Sequence, residues 1–372
     1  MHEIDEKVER LARLATAQGL GGILLNTQPN FSWLTGGRSN RIDGSRENGS
    51  GSLFVSARGR RFVVANNIEM PRLHDEALAG LGFTACEYPW TEEQAHPGTP
   101  IAIAKRAIGV ECSTAVGCDS AMPGGTTMDA DIAAARALLT AAEASRYRVL
   151  GRDLGRVVGE VCRGLVPDLA EVEIAQRVTA AVAGVGARAV VMLVAGDERI
   201  GRFRHPAPTA ARWRHSVMVV VCAQRDGLVA PLSRIVVSGV VPDGLETNTR
   251  AAAGVLERLL AATEAGATGA RLFGVAAQAY AAAGFAHEET RHHQGGATGY
   301  RSREWIAHPA SRDIVQAQQA FAWNPSITGT KIEETALLTP AGLELLTTSP
   351  GWPSIPICVR GQSLTAPGLL AK

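Results

Sequence analysis

The chain has 372 residues, with 37 Lys and Arg against 36 Asp and Glu, a formal net charge of +1 and 46% hydrophobic residues. At roughly 150 residues per domain, this length supports two domains with a core each. The charge balance argues against a nucleic-acid binder, which needs a clustered basic excess. No apolar run approaches the roughly 18 residues of a membrane span.

In chain order, residues 6–17 place Val8, Leu11, Leu14 and Ala15 on one face and predict an amphipathic helix. This charged start lacks the apolar core of a secretory leader, so a cytoplasmic protein is expected. Residues 22–25 predict a buried strand, and residues 29–37 a turn, a brief helix and a glycine stop. A polar loop with Arg38 and Arg41 follows. Residues 52–56 and 61–65 read as a hairpin, 68–78 as a helix, 83–90 and 108–111 as strands. This alternation predicts an α/β domain, with Pro123-Gly-Gly as linker. Beyond it, 129–165 reads as helix broken near Gly151 or Gly155, and 169–185 as a second helix capped by Asp168. Strands are expected at 189–195, 216–222 and 233–238, the last two joined by a loop over 223–232. Helices over 247–262 and 270–284 precede closing strands at 320–324 and 331–338. The Pro-rich tail from 350 reads as an irregular strap.

None of the six cysteines forms a C-x-x-C pair, which argues against a zinc ribbon or a dithiol redox site. They are expected to be reduced and mainly buried. Few histidines occur, and His205 and the pair His292-His293 stand among other polar residues. His205 follows a charged run and precedes Pro-x-Pro, a rigid extended exit. The segment 290–305 gathers His292, His293, Tyr300, Arg303 and Glu304 around glycines that let a backbone approach a ligand closely.

The order of elements and several motifs resemble a known superfamily. Asn30-Phe-Ser-Trp-Leu-Thr-Gly and Asn67-Ile-Glu69 are similar to segments of the creatinase-type N-terminal domain. The second part resembles the "pita-bread" superfamily of creatinase, aminopeptidase P (Xaa-Pro aminopeptidase), prolidase and methionine aminopeptidase. The resemblance implies an α/β N-terminal domain over 1–125. It implies an α+β pita-bread domain over 126–372, a curved antiparallel sheet flanked by helices. It also implies a homodimer.

The metallopeptidases of this superfamily hold two divalent metals with two Asp, one His and two Glu. Position by position, Val220 stands for the first Asp and Pro231 for the second. His293 matches the histidine, Asn324 replaces the first Glu, and Glu333 in Lys331-Ile-Glu-Glu-Thr335 matches the last. One His and one Glu do not repay the dehydration of a divalent ion, so no metal and no cofactor are expected. Glu333 and Glu334 are neighbours on an extended chain and face opposite sides. The resemblance selects Glu333 for the site and leaves Glu334 as a solvated or structural partner, with Lys331 as its candidate mate. Arg234 matches an arginine that usually pairs with a structural carboxylate.

Creatinase, within this superfamily, works without metal through a histidine acid/base, and the matching residue is His205. The expected catalytic set is therefore His205, His293 and Glu333. Arg204, His292, Tyr300, Arg303, Glu304, Asn324 and Cys222 are expected to bind substrate. Arg38 and Arg41 join them, because in creatinase-like dimers that loop reaches the partner's site. The expected function is metal-independent hydrolysis of a C–N bond in a small amide, peptide or guanidino substrate. The alternatives are an Xaa-Pro metallopeptidase and a non-catalytic pita-bread binding protein. Neither a nucleic-acid nor a membrane partner is expected.

Overall fold

The computed structural model describes residues 3–109 and 114–372. The chain divides into two compact units, Met1–Thr140 and Ala141–Lys372. The expected boundary at 125 falls inside the first unit, which also keeps the helix Asp129–Ala137.

The first unit is a six-stranded mixed sheet with helices. Its strand order is Thr84–Tyr88, Arg61–Asn66, Asn48–Ser56, Gly22–Thr27, Gly117–Cys118, Thr126–Thr127. The opening helix spans Glu3–Ala17 and buries Ile4, Val8, Leu11 and Ala15 at the expected helical spacing. Of the strand expected at 108–111, only the first two residues are described, and they are not extended. Ile108 closes the helix Thr99–Ile108, and the left-handed Gly109 (φ +69°) stops it. Val110, Glu111 and Cys112 lie outside the described residues.

The second unit has the α+β pita-bread architecture. One four-stranded sheet runs in the order Leu369–Ala371, Leu228–Val237, Ser216–Arg225, Arg188–Gly196. The other runs Gly295–Thr298, Ala320–Trp323, Glu334–Thr339, Gly342–Leu345. Backbone bonds from Val229 to Gly299 (2.7 Å) and from Ser233 to Glu333 (3.1 Å) join the two sheets. The helices Ala141–Arg163, Glu171–Gly184, Leu245–Ala262 and Gly269–Ala282 flank them.

Several local expectations change. The loop expected over 223–232 is almost all strand, because Asp226 (φ +51°) and Gly227 (φ +78°) close a two-residue turn. The helical stretch over 129–165 breaks at 138–140, not at Gly151 or Gly155. Those glycines are contact positions. A Cβ at Gly155 would sit 2.3 Å from the Thr348 carbonyl oxygen, and one at Gly151 2.5 Å from that of Leu346. Asp168 does not cap the next helix. It takes the left-handed region (φ +70°), and Glu173 receives the Ala170 N–H instead. The tail is ordered as the hairpin Ser354–Val359 with Gln362–Pro367, and its last strand lies parallel to Leu228–Val237. Among the described residues the five cysteines are free thiols, and Cys118, Cys162 and Cys222 are buried.

These contacts set one expectation. Gly155→Ala should cost about 1–3 kcal/mol by overpacking against a rigid carbonyl. Gly254→Ala, where nothing lies within 4 Å, should be neutral or stabilising by up to about 1 kcal/mol. Urea unfolding of both variants checks the pair.

Candidate functional site

Period two along the long hairpin decides what faces the site. Val220 pairs with Ser233 and Cys222 with Pro231, so all four share one face of the sheet. Arg234 falls on the opposite face. There it is buried and forms an ion pair with Glu334 at 2.9 Å. It also donates to Ser349 Oγ and the Thr347 carbonyl, while Thr347 donates to Glu334. Glu334 is thus a buried structural group. It is not solvated, and its mate is Arg234, not Lys331.

Glu333 turns the other way and is fully buried at the site face. Lys331 Nζ lies 3.0 Å from one of its oxygens, and Arg303 donates to the other at 2.8 Å. Burial alone would raise this carboxyl, but the two cations outweigh it and hold the group near 2, below its ordinary 4.5. Arg303 is further tied to the Ser302 carbonyl at 2.6 Å. Lys331 is two residues before Glu333, which is the signal that could have placed it on the same side.

Three imidazoles converge beside this ion pair. His205 enters on the loop that follows the short helix Glu198–Arg202, and His292 and His293 precede the strand Gly295–Thr298. His205 Nε2 and His292 Nε2 lie 3.0 Å apart. His292 and His293 stack with ring centroids 4.4 Å apart, and His205 lies 5.7 Å from His293 by the same measure. His205 is exposed and His292 buried. Burial and the nearby Lys331 lower all three rings' proton affinity, to about 2 for His292 and about 4 for His293, where Arg303 also acts. All three are therefore neutral near pH 7. The Nδ1 atoms of His292 and His293 are buried without a hydrogen-bond partner.

The loop bearing His205 is anchored at both ends. Glu171, fully buried, accepts from Gly196 N, Thr209 N and Thr209 Oγ1 at 2.8–2.9 Å and pairs with Arg199. Arg204 pairs with Glu288 and donates to Thr328 Oγ1 at 2.9 Å and Ser326 Oγ at 3.3 Å. Arg204, expected to bind substrate, here pins its loop through these three partners. Glu171 and Glu288 were invisible to motif reading, because their partners are distant in sequence.

Other expected site residues separate in the same way. Asn324 reaches the site, with a buried Oδ1 that accepts no hydrogen bond. Gly295 (φ +102°) packs against it, and a Cβ there would lie 2.8 Å from that oxygen. Tyr300 is buried, and its hydroxyl donates to Glu143 at 2.7 Å. Glu304 accepts the Tyr300 and Arg301 amides and so shapes its own loop. Both expected substrate groups are thus engaged within the protein. Cys222 lies near Glu333 but is buried, and its thiol is pushed up to about 12 by burial and then by that carboxylate. It is a packing thiol, not a reactive one. Arg38 and Arg41 are exposed in the N-terminal unit.

The model of metallopeptidase family M24 matches residues 145–340, and the chain belongs to that family. Among curated proteins, no sequence matches the chain. Among solved structures, the fold is similar to the dipeptidase PepE from Mycobacterium ulcerans, with TM-score 0.77 and 19% identity over 94% of this chain and 96% of that one. It is similar to a recombinant prolidase from Thermococcus sibiricus, with TM-score 0.77 and 17% identity over 94% and 98%. It is also similar to the N-terminal domain of the FACT complex subunit SPT16 from Cicer arietinum, with TM-score 0.67 and 11% identity over 93% and 96%. At these identities the likeness is one of fold.

The family name implies metal, and the residues present do not fit the two-metal centre. Val220 and Pro231 offer no ligand atom, and Asn324 offers a neutral oxygen. Both oxygens of Glu333 already face a cation. Among the described residues, the group with three candidate ligands close together is His205, His292 and His293, one ring nitrogen of each lying within 4.8 Å of the others.

Removing one cation leaves Glu333 with half its compensation. Lys331→Met should destabilise the fold by about 1–3 kcal/mol at neutral pH. Because the folded carboxyl sits below its unfolded value of 4.5, its stabilisation is present above that value and is lost as pH falls toward 2. The variant should therefore lose part of the wild-type stability gap on acidification, measured as thermal midpoint against pH.

Proposed function

We propose that the C-terminal unit is a hydrolase that cleaves a C–N bond of a small polar substrate without the two-metal centre of its family. The observation that carries this reading is the 3.0 Å contact between His205 Nε2 and His292 Nε2 beside a buried carboxylate with two cations. In the neutral pair one Nε2 carries hydrogen and the other a lone pair. His205, the exposed member, takes a proton from attacking water and returns it to the leaving nitrogen. His292 is the relay partner. His293 orients the substrate, and Glu333 holds Lys331 and Arg303 in place. These two donors meet the negative charge that grows on the carbonyl or guanidino group under attack, the task metals perform elsewhere. The Asn324 amide suits a neutral or anionic group better than a cation. The same reading includes a homodimer in the cytoplasm, with a small molecule as the partner of the site.

The family membership supports a peptidase-type hydrolase, and the ion pair at Glu333 supports metal independence. A screen of small amides, dipeptides and guanidino compounds against chelator-treated protein tests both. Turnover should appear in the absence of divalent ions and fall about 100-fold or more in His205→Ala. Turnover that needs added manganese would favour an Xaa-Pro metallopeptidase. Unchanged ligand binding in His205→Ala, with no turnover in either form, would favour a binding protein.

A further inference from the structure

We infer that His205, His292 and His293 form a capture site for one divalent transition-metal ion of the Zn2+ class, and that occupancy of this site silences His205. The capture half stands on geometry alone. The silencing half rests on the role of His205 proposed above.

A tetrahedral Zn2+ with ligand bonds of 2.0–2.1 Å holds its nitrogens about 3.3 Å apart. His205 Nε2 and His292 Nε2 are 3.0 Å apart, and one ring nitrogen from each of the three residues lies within 4.8 Å of the other two. A rotation of the His293 ring would complete a three-nitrogen face, and the exposure of His205 leaves the fourth position open to water or chloride. Neither His292 nor His293 is committed to one tautomer, because Nδ1 of each has no partner.

The charged groups around the cluster set the affinity and the choice of ion. Glu333 is negative, and Lys331 and Arg303 are positive, so the surroundings carry a formal +1. That charge opposes a dication and favours an anionic fourth ligand. Binding is therefore expected in the micromolar range, weaker than a structural zinc site. An all-imidazole set with no carboxylate ligand selects Zn2+, Co2+, Ni2+ or Cu2+ over Mg2+. This distinguishes it from the carboxylate-rich pair of sites for which the family is named. A metal held by His205 takes the lone pair that would accept a proton.

The test uses the full-length, chelator-treated protein. Co2+ absorption and Zn2+ calorimetry should give one ion per chain, and Mg2+ should give none. His292→Ala and His205→Ala should each weaken binding at least tenfold, while His215→Ala, outside the cluster, should not. Carbethoxylation followed by mass spectrometry should show His205 protected by Zn2+ and His215 still reactive. Absence of one-to-one binding, or binding indifferent to both cluster variants, overturns the capture site. Binding that leaves His205 reactive, or that raises hydrolysis, overturns the silencing. Loss of metal capture leaves the proposed hydrolase untouched. Conversely, a protein with no turnover but with histidine-dependent Zn2+ binding removes the hydrolase and keeps the site.

Discussion

A carboxylate with almost no access to water must find positive charge within hydrogen-bond reach or keep its proton, and Glu333 finds two cations. Lys331 and Arg303 reach one oxygen each, at 3.0 and 2.8 Å. The pairing fixes the side of the chain on which Lys331-Ile332-Glu333 lies and ties the loop of Arg303 to that edge, and its cations add to the burial that lowers the proton affinity of the three nearby imidazoles, against the opposing pull of Glu333. It also occupies the carboxylate that the family's metal centre would need. The character of the site therefore follows from this one buried ion pair more than from any single histidine.

The scaffold around it works by alternation. The hairpin Ser216–Arg225 and Leu228–Val237 sends Val220, Cys222, Pro231 and Ser233 to the site and Arg234 to the opposite face. The neighbouring Glu333 and Glu334 split the same way, so two buried acid–base pairs stand on opposite faces of one sheet layer. A one-residue slip would exchange them and strand both charges, so the register is strongly specified. Glu171 and Glu288 then bring the His205 loop to the sheet by fixing its two ends.

Much of this was legible in the sequence. The segments around Asn30, His293 and Lys331–Thr335 resembled family motifs, and counting along them located Val220, Pro231 and Asn324 where ligands would stand. Period two alone separated Glu333 from Glu334. The turn at Asp226-Gly227 was also written in the chain, although 223–232 read as a loop, and Pro231 lies within the strand that forms there. The structure accommodates it because the outer neighbour Leu369–Ala371 pairs only with Ile235–Val237, leaving no ladder bond for Pro231 to break on that side. Gly151 and Gly155 read as helix breakers, yet they mark where a helix meets the backbone near Leu346 and Thr348. The approach of His205 to His292 was not readable, since 87 residues separate them. Separations of 84 and 157 residues likewise hid Arg204 and Glu288 as a pair, and Tyr300 and Glu143 as another.

The central claim is that the ion pair at Glu333 stands in place of a two-metal centre. Manganese titration followed by electron paramagnetic resonance tests it most directly, because free Mn2+ gives a sharp six-line signal that binding suppresses. The account predicts that the full free-ion signal persists in the presence of the protein, in the wild type and in His292→Ala alike. Loss of the signal at two Mn2+ per chain, restored when Glu333 is changed to Gln, would contradict it.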